Sequence, residues 1–274
     1  MNHLAVLSLH TSPLVQPGSG DSGGMNVYVR ELISALARSG RESTVFVRRT
    51  DLTTPEVVNV EPGFRVVHVT AGALDLSKEE LPEIVGLFAD QVSKWIRTHG
   101  GFDGLLANYW LSGLAGHRLK HELGLPLTTV FHTLARVKAE TGEIEPQRRM
   151  DAETAVARCS DIVLANSEEE SRQLVDLYGT DISRIEIVPP GVDHSLFSPG
   201  DREEARKATG LSGDPVLLFV GRIQPLKGVE VAIQTLAHLK KYPNAQLVIV
   251  GGASGPEGPA TEEKIWSLVN ELEL

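Results

Sequence analysis

The chain has 274 residues, 41% of them hydrophobic, which is enough for one large domain or two smaller ones, each with a core. Its formal charge of -10, with no local basic patch, argues against non-specific nucleic-acid binding, although a small anionic substrate can still meet a positive pocket on an acidic protein. Cys159 is the single cysteine, so no intrachain disulfide and no thiolate metal cluster can form within one chain. Met1 leads straight into an apolar strand with no basic leader, and no segment is long and apolar enough for a membrane span. The expectation is therefore a cytoplasmic protein in a reducing compartment.

Residues 4–9 are short and apolar, the mark of a buried parallel strand. A loop with Pro13 and Pro17 follows. Val27, Leu32, Ala35 and Leu36 then give a helical stripe that Gly40 stops. Between strand and helix lies Gly20-Asp21-Ser22-Gly23-Gly24-Met25-Asn26. Glycines at such a corner let a ligand approach the backbone, and the helix start offers unpaired N–H groups and a positive dipole end. Anion binding and a tight structural crossover both fit. The spacing is neither GxGxxG nor GxxxxGK, so the usual dinucleotide and P-loop readings do not apply.

Further strands are expected at 45–47, at 57–60 on an edge, and at 66–69, followed by a long helix over 81–96. A strand at 105–107 leads into Asn108-Tyr109-Trp110, and Ser112 is a candidate cap for a helix running to Gly124. The strand at 127–131 delivers His132 and Thr133. A helix over 146–158, a strand at 162–165, a capping box Ser167…Glu170 and a strand at 185–188 complete this part. Residues 189–193, Pro-Pro-Gly-Val-Asp, break the rhythm, and the stretch to Pro215 is polar with one short helix over 203–209. A second unit opens with a strand at 216–220, a loop at 221–228 and a helix over 229–240. A strand at 247–250 and a helix over 262–272 follow.

This alternation predicts an α/β fold with doubly wound parallel sheets. The expected domains are 1–195, a linker at 196–214, and 215–274 as the start of a second domain. Two parallel strands hold too little core to stand alone, so the second domain reads as incomplete.

Ligands of an open parallel sheet sit beyond the C-terminal strand ends, where His10, residues 21–26, Tyr109, His132 and Arg222 fall. His132 suits a hydrogen bond to a sugar hydroxyl or a shared proton, and equally suits a buried histidine bonded to a backbone carbonyl. Lys78, Lys138, Arg148 and Arg149 are each candidates for a phosphate or simply solvated charges. Arg149 and Glu153 are spaced as a surface i,i+4 pair. Gly221-Arg222-Ile223-Gln224-Pro225-Leu226-Lys227-Gly228 sets two cations over a helix start, an arrangement that neutralises a pyrophosphate leaving group. Gly251-Gly252 follows the next strand and would allow close approach of a diphosphate. Asp103 and Asp161 precede strands and read as structural. There is no HExxH, no aspartate pair with metal spacing and no GxSxG, so no metal site is expected.

Taken together, His10-Thr11-Ser12-Pro13, residues 20–26, Tyr109-Trp110-Leu111-Ser112-Gly113, Phe131-His132-Thr133, residues 189–193 and residues 221–228 resemble the retaining GT-B glycosyltransferases of family 4, over essentially the whole chain. The resemblance implies a complete N-terminal Rossmann-like domain for the acceptor and the first part of a second one for a nucleotide sugar. It implies transfer of N-acetylglucosamine from UDP-GlcNAc to 1D-myo-inositol 3-phosphate, as in mycothiol biosynthesis. Alternatives are a sucrose-phosphate-synthase-like or other sugar phosphate acceptor, or an inactive phosphate- or nucleotide-binding fragment. By motif, Gly23, Gly24 and His10 would border the donor, with Arg222 and Lys227 gripping its diphosphate. Asn26 would lie near the acceptor, and Lys78, Tyr109, Thr133 and Arg149 would hold its phosphate. Lys78 is carried by Leu76-Ser77-Lys78-Glu79-Glu80-Leu81-Pro82. The catalytic set would be His132, Arg222 and Lys227. No cofactor is required; magnesium at the diphosphate is compatible with the family. The partners would be small molecules, and the sequence leaves room for a homodimer. The chain stops before the family's glutamate-containing loop, which implies about 130 to 150 further residues.

Overall fold

The computed structural model describes residues 2–16, 23–140, 142–224, 227–253 and 258–274. They divide into two compact units, one of residues 1–14 with 25–190 and one of residues 15–24 with 191–274.

The first unit holds an eight-stranded sheet. Its strands are β1 (His3–Leu7), β2 (Glu42–Arg48), β3 (Val57–Glu61), β4 (Phe64–Val69), β5 (Gly104–Asn108), β6 (Leu127–Val130), β7 (Ile162–Ala165) and β8 (Ile185–Ile187). Their order is β3-β4-β2-β1-β5-β6-β7-β8. Every pairing is parallel except β3 with β4, the edge hairpin. β1 lies between β2, with Leu4 opposite Ser43, and β5, with Leu4 opposite Gly104. The chain winds one way from β1 and the other way from β5, so the two strands flank a topological switch point, where doubly wound sheets bind ligands.

Helices α1 (Gly24–Arg38), α2 (Val85–His99), α3 (Trp110–Leu123), α4 (Ala135–Glu140), α5 (Gln147–Cys159) and α6 (Glu168–Tyr178) connect the strands. Alternation along each strand sends Ala5, Leu7 and Phe46 into one core and Val6, Val45 and Val47 into the other. Val29 and Ile33 of α1 fill the second core. Phe88 and Val92 of α2, Leu111, Ala115 and Leu119 of α3, Val156 of α5 and Leu174 of α6 fill the first. Both faces being covered explains why the strands read as unbroken apolar runs. Burial of each large side chain contributes about 1.5–3 kcal/mol. α3 lies close to the sheet because of Gly116, where a Cβ would come 2.8 Å from Leu127 Cδ1.

Several local expectations change. The helix expected from Leu81 opens with a 3-10 turn, Leu81–Ile84, which carries Pro82 near its start, and continues as α2. Ser112 does not cap α3. That helix begins at Trp110, and buried Ser112 Oγ accepts the Leu9 N–H at 3.0 Å. Ser167 Oγ does accept the Glu170 N–H, but the Glu170 carboxylate reaches Asn166 N and Nδ2 instead of completing a capping box. α4 was not expected.

The second unit contains α7 (Arg202–Thr209), β9 (Val216–Val220), α8 (Val229–His238), β10 (Gln246–Val250) and α9 (Gly258–Glu271). β9 and β10 pair in parallel. One face packs Phe219, Leu247 and Ile249 against Ile223, Val229, Ile233 and Ile265. Leu218, Val220 and Val250 are exposed. Among the described residues, no helix is long and apolar enough to cross a membrane.

Candidate active site

His10 lies three residues beyond β1 and Tyr109 directly beyond β5, and their rings meet across the switch point at 4.5 Å. His10 Nδ1 is buried without a hydrogen-bond partner. Burial, and then the charges of Lys78, His132 and Arg149, lower the His10 pKa to about 3. The imidazole is therefore neutral at pH 7.

His132 follows β6 after Phe131. Both His132 (φ 63°) and Tyr109 (φ 75°) have left-handed backbone, which costs a bulky residue about 1–3 kcal/mol and persists where the surroundings fix it. Tyr109 N donates to Val130 O at 2.8 Å, tying the two strand ends together. His132 Nε2 lies 3.0 Å from Asn108 Oδ1, so Nε2–H donates and Nδ1 carries the lone pair. The histidine thus bonds to a side chain rather than a backbone carbonyl. Tyr28 of α1 meets its ring edge-on at 5.0 Å. Burial lowers the His132 pKa to about 4.

Arg149 lies on the first turn of α5 and is buried, as is Glu153, so the expected surface pair is an internal one. Arg149 Nε donates to Glu153 Oε1 at 2.8 Å and a terminal nitrogen to Glu145 Oε2 at 2.9 Å. The other terminal nitrogen donates to Thr133 Oγ1 at 3.0 Å and to Thr133 O at 3.2 Å. The guanidinium also sits 5.1 Å over the Tyr109 ring. Burial works against the Arg149 charge, but Tyr109, Glu153 and Glu145 outweigh it and raise its pKa. Glu153 Oε2 accepts from Ala135 N at 2.9 Å and from the Tyr178 hydroxyl at 2.5 Å. Glu145 Oε1 accepts from Lys138 Nζ at 2.6 Å.

Lys78 is exposed, and its charge reaches His10. Lys138 is held by Glu143 and Glu145. Arg148 points away, to Glu83 and to the Glu79 carbonyl. Asn26 is buried and donates to Thr11 Oγ1 at 2.5 Å and to Ser12 O at 2.6 Å, anchoring the loop after β1. The first unit thus brings His10, Tyr109, His132, Thr133 and Arg149 together at the ends of β1, β5 and β6. Arg149 beside neutral imidazoles and a phenol, with exposed Lys78 near enough for its charge to reach His10, suits a phosphate monoester with hydroxyl groups. Sequence reasoning missed Asn108, Glu145, Tyr28 and Tyr178, none of which carries a motif.

In the second unit, Gly221 N donates to Val250 O at 3.0 Å and Ile223 N to Gly252 O at 2.9 Å, so the loops after β9 and β10 stay paired. A Cβ on Gly251 would lie 1.8 Å from Gly221 O, which gives Gly251 a structural reason independent of any diphosphate. A Cβ on Gly23 would lie 3.6 Å from Arg222 Nε, bringing two expected donor residues together. Lys227 is exposed, one residue before the Gly228 cap of α8. Gly24 is the exposed first residue of α1. Gly20, Asp21 and Ser22, with Pro225 and Leu226, lie outside the described residues.

Asp103 Oδ2 accepts from Asn2 N and His3 N, and Asp161 Oδ2 from Leu127 N, which confirms their structural role. A cavity lined by Glu42, Ser43, Asn59, Glu61, Gly63, Phe64 and Arg65 opens where β2 and β4 begin, the end of the sheet opposite the site. Among the described residues, His117 and His121 of α3 and Cys159 of α5 bring ligand atoms within 4.8 Å of one another, through the packing of α3 on α5.

Residues 22–196 match the family model described as Glycosyltransferase Family 4, and residues 201–274 the one described as Glycosyl transferases group 1. A D-inositol 3-phosphate glycosyltransferase of Xylanimonas cellulosilytica is 46% identical over an alignment of 266 residues that covers 92% of this chain and 63% of that protein. This chain thus spans just under two thirds of that relative. Sucrose-phosphate synthase from Thermosynechococcus elongatus matches with a TM-score of 0.89 and 29% identity over 100% of this chain and 68% of that one. HepE of Anabaena, in complex with UDP and glucose, matches in fold with a TM-score of 0.70 and 16% identity over 100% of this chain and 67% of that one. The chain belongs to glycosyltransferase family 4 and has an α/β fold of GT-B type.

Proposed function

We propose that the whole protein transfers N-acetylglucosamine from UDP-GlcNAc to 1D-myo-inositol 3-phosphate with retention of configuration. The observation that carries this reading is the cluster at the switch point, where Arg149, held by Thr133, lies over Tyr109 beside His10. It is a site for a compact phosphorylated polyol. The name of the Xylanimonas relative supports the same acceptor.

In this reading the first unit holds the acceptor and the second the donor. Arg149, Thr133, Tyr109 and Lys78 take the acceptor phosphate, and Asn26 keeps the loop after β1 in place. The anomeric C–O bond to the diphosphate breaks while the acceptor hydroxyl forms a new bond on the same face. Its proton passes to the departing phosphate oxygen. Arg222 and Lys227 stabilise the charge that develops on the leaving group, with Gly23 and Gly24 lining its approach. Neutral His132, set by Asn108, positions a sugar hydroxyl rather than supplying charge.

The match to sucrose-phosphate synthase supports a second reading, with fructose 6-phosphate as acceptor. Calorimetric titration of this chain with 1D-myo-inositol 3-phosphate, unphosphorylated inositol and fructose 6-phosphate separates the two. Selective binding of the inositol phosphate, lost in Lys78→Ala, is expected. Selective binding of fructose 6-phosphate would favour the second reading, and a folded chain that binds neither would overturn both.

A further inference from the structure

A second cluster lies away from these residues, between α3 and α5. His117 and His121 are one turn apart on α3, and Cys159 is the last residue of α5. One ligand atom from each falls within 4.8 Å of the other two. Cys159 Sγ already stands 3.3 Å from His121 Nε2, and the two imidazole centroids are 5.0 Å apart.

We propose that His117, His121 and Cys159 form a zinc site that clamps α3 to α5. Two imidazoles and one thiolate are a ligand set that zinc favours, with a water molecule completing the tetrahedron. Zinc–ligand bonds of about 2.0–2.3 Å place neighbouring ligand atoms roughly 3.4–3.6 Å apart. The sulfur–nitrogen separation is already close to that, and the ligand atom of His117 lies within 4.8 Å of both. His117 Nδ1 is buried without a hydrogen-bond partner, an atom that ligation would satisfy. The nearby positive charge is offset, because Lys120 Nζ pairs with Asp161 at 2.7 Å and donates to the Cys159 carbonyl at 2.8 Å. Binding breaks the Cys159 S–H bond, forms the S–Zn bond and releases one proton to solvent. The ion would join the helix that begins beside Tyr109 to the helix that carries Arg149.

The test is a titration of the tag-free, reduced 274-residue chain with cobalt(II), followed by displacement with zinc. Because Cys159 is the only cysteine, a sulfur-to-cobalt charge-transfer band can arise only from it. One cobalt per chain is expected, with that band and tetrahedral ligand-field bands, both erased by zinc. Cys159→Ser should abolish the charge-transfer band, and His121→Ala should weaken binding by at least about tenfold. Circular dichroism confirms that each variant is folded. Cobalt binding without the sulfur band, binding unchanged in folded Cys159→Ser, or no binding by the folded parent chain would each overturn the proposal.

Discussion

Arg149 and Glu153, one turn apart on α5, form an ion pair inside the protein, with Nε to Oε1 at 2.8 Å and side chains only 7% and 0% exposed. Removing two charges from water costs several kcal/mol each and is offset only when their remaining donors and acceptors are met. Here they are met, by Thr133 and Glu145 on the arginine and by Ala135 N and Tyr178 on the carboxylate. Glu153→Ala should therefore destabilise the protein by about 3–5 kcal/mol in urea unfolding, because it breaks a buried pair and leaves Arg149 Nε, Ala135 N and the Tyr178 hydroxyl without their acceptor. Glu153→Gln, which keeps an acceptor for these donors, should cost less. A single-variant loss below about 1 kcal/mol would show that the pair is solvated.

Glu145 occupies a terminal nitrogen of Arg149 and bridges it to Lys138. If the acceptor phosphate binds Arg149, it must compete with this carboxylate. Glu145→Gln should then tighten binding of a phosphorylated acceptor by about three- to tenfold, with no change for unphosphorylated inositol. Calorimetry reads both. Weaker binding of the phosphate in the variant would assign Glu145 to positioning Arg149 instead.

The parallel sheet was legible because each strand is buried on both faces and reads as a short apolar run, as residues 4–9 and 127–131 do. The placement of His10, Tyr109 and His132 just past strand ends was legible, because each follows a short apolar run. What stayed hidden depended on tertiary contact. The i,i+4 spacing of Arg149 and Glu153 is the same on a surface as in a core, and only the packing of α4 and Tyr178 over them decides which. The roles of Asn108 and Glu145 have no sequence signature, since Asn108 acts through His132, 24 residues away, and Glu145 precedes α5, where i,i+4 spacing to Arg149 carries no helical signal.

Ser112 is the instructive case. Its type and place before an apolar helix fit an N-cap, yet it lies inside the first turn of α3 and satisfies Leu9 N. Ser112→Ala should cost about 1–3 kcal/mol by leaving that buried N–H without an acceptor. Ser112→Asp separates the two roles. A cap position accepts aspartate readily, whereas the buried position should lose more stability than with alanine. Equal or higher stability of the aspartate variant in urea unfolding would restore the cap.

His10 and His132, both partly buried, set an acid limit on stability. His10 and His132 have folded pKa values of about 3 and about 4, below the ordinary value of 6.5. Because both values are lowered, the unfolded chain binds these protons first as pH falls. The contribution to stability is fully present above about pH 6.5 and declines as pH drops toward 4. His3, His68 and His117 shift in the same direction and add to the slope. Asp103 and Asp161, whose pKa values are lowered below the ordinary 3.8, titrate below this window. The urea midpoint should therefore fall between pH 7 and pH 4.5, and His10→Asn and His132→Asn should each make that fall shallower. An unchanged slope in both variants would mean that the two imidazoles are solvated in the folded protein, and with that the neutral, positioning role given to His132 would fail.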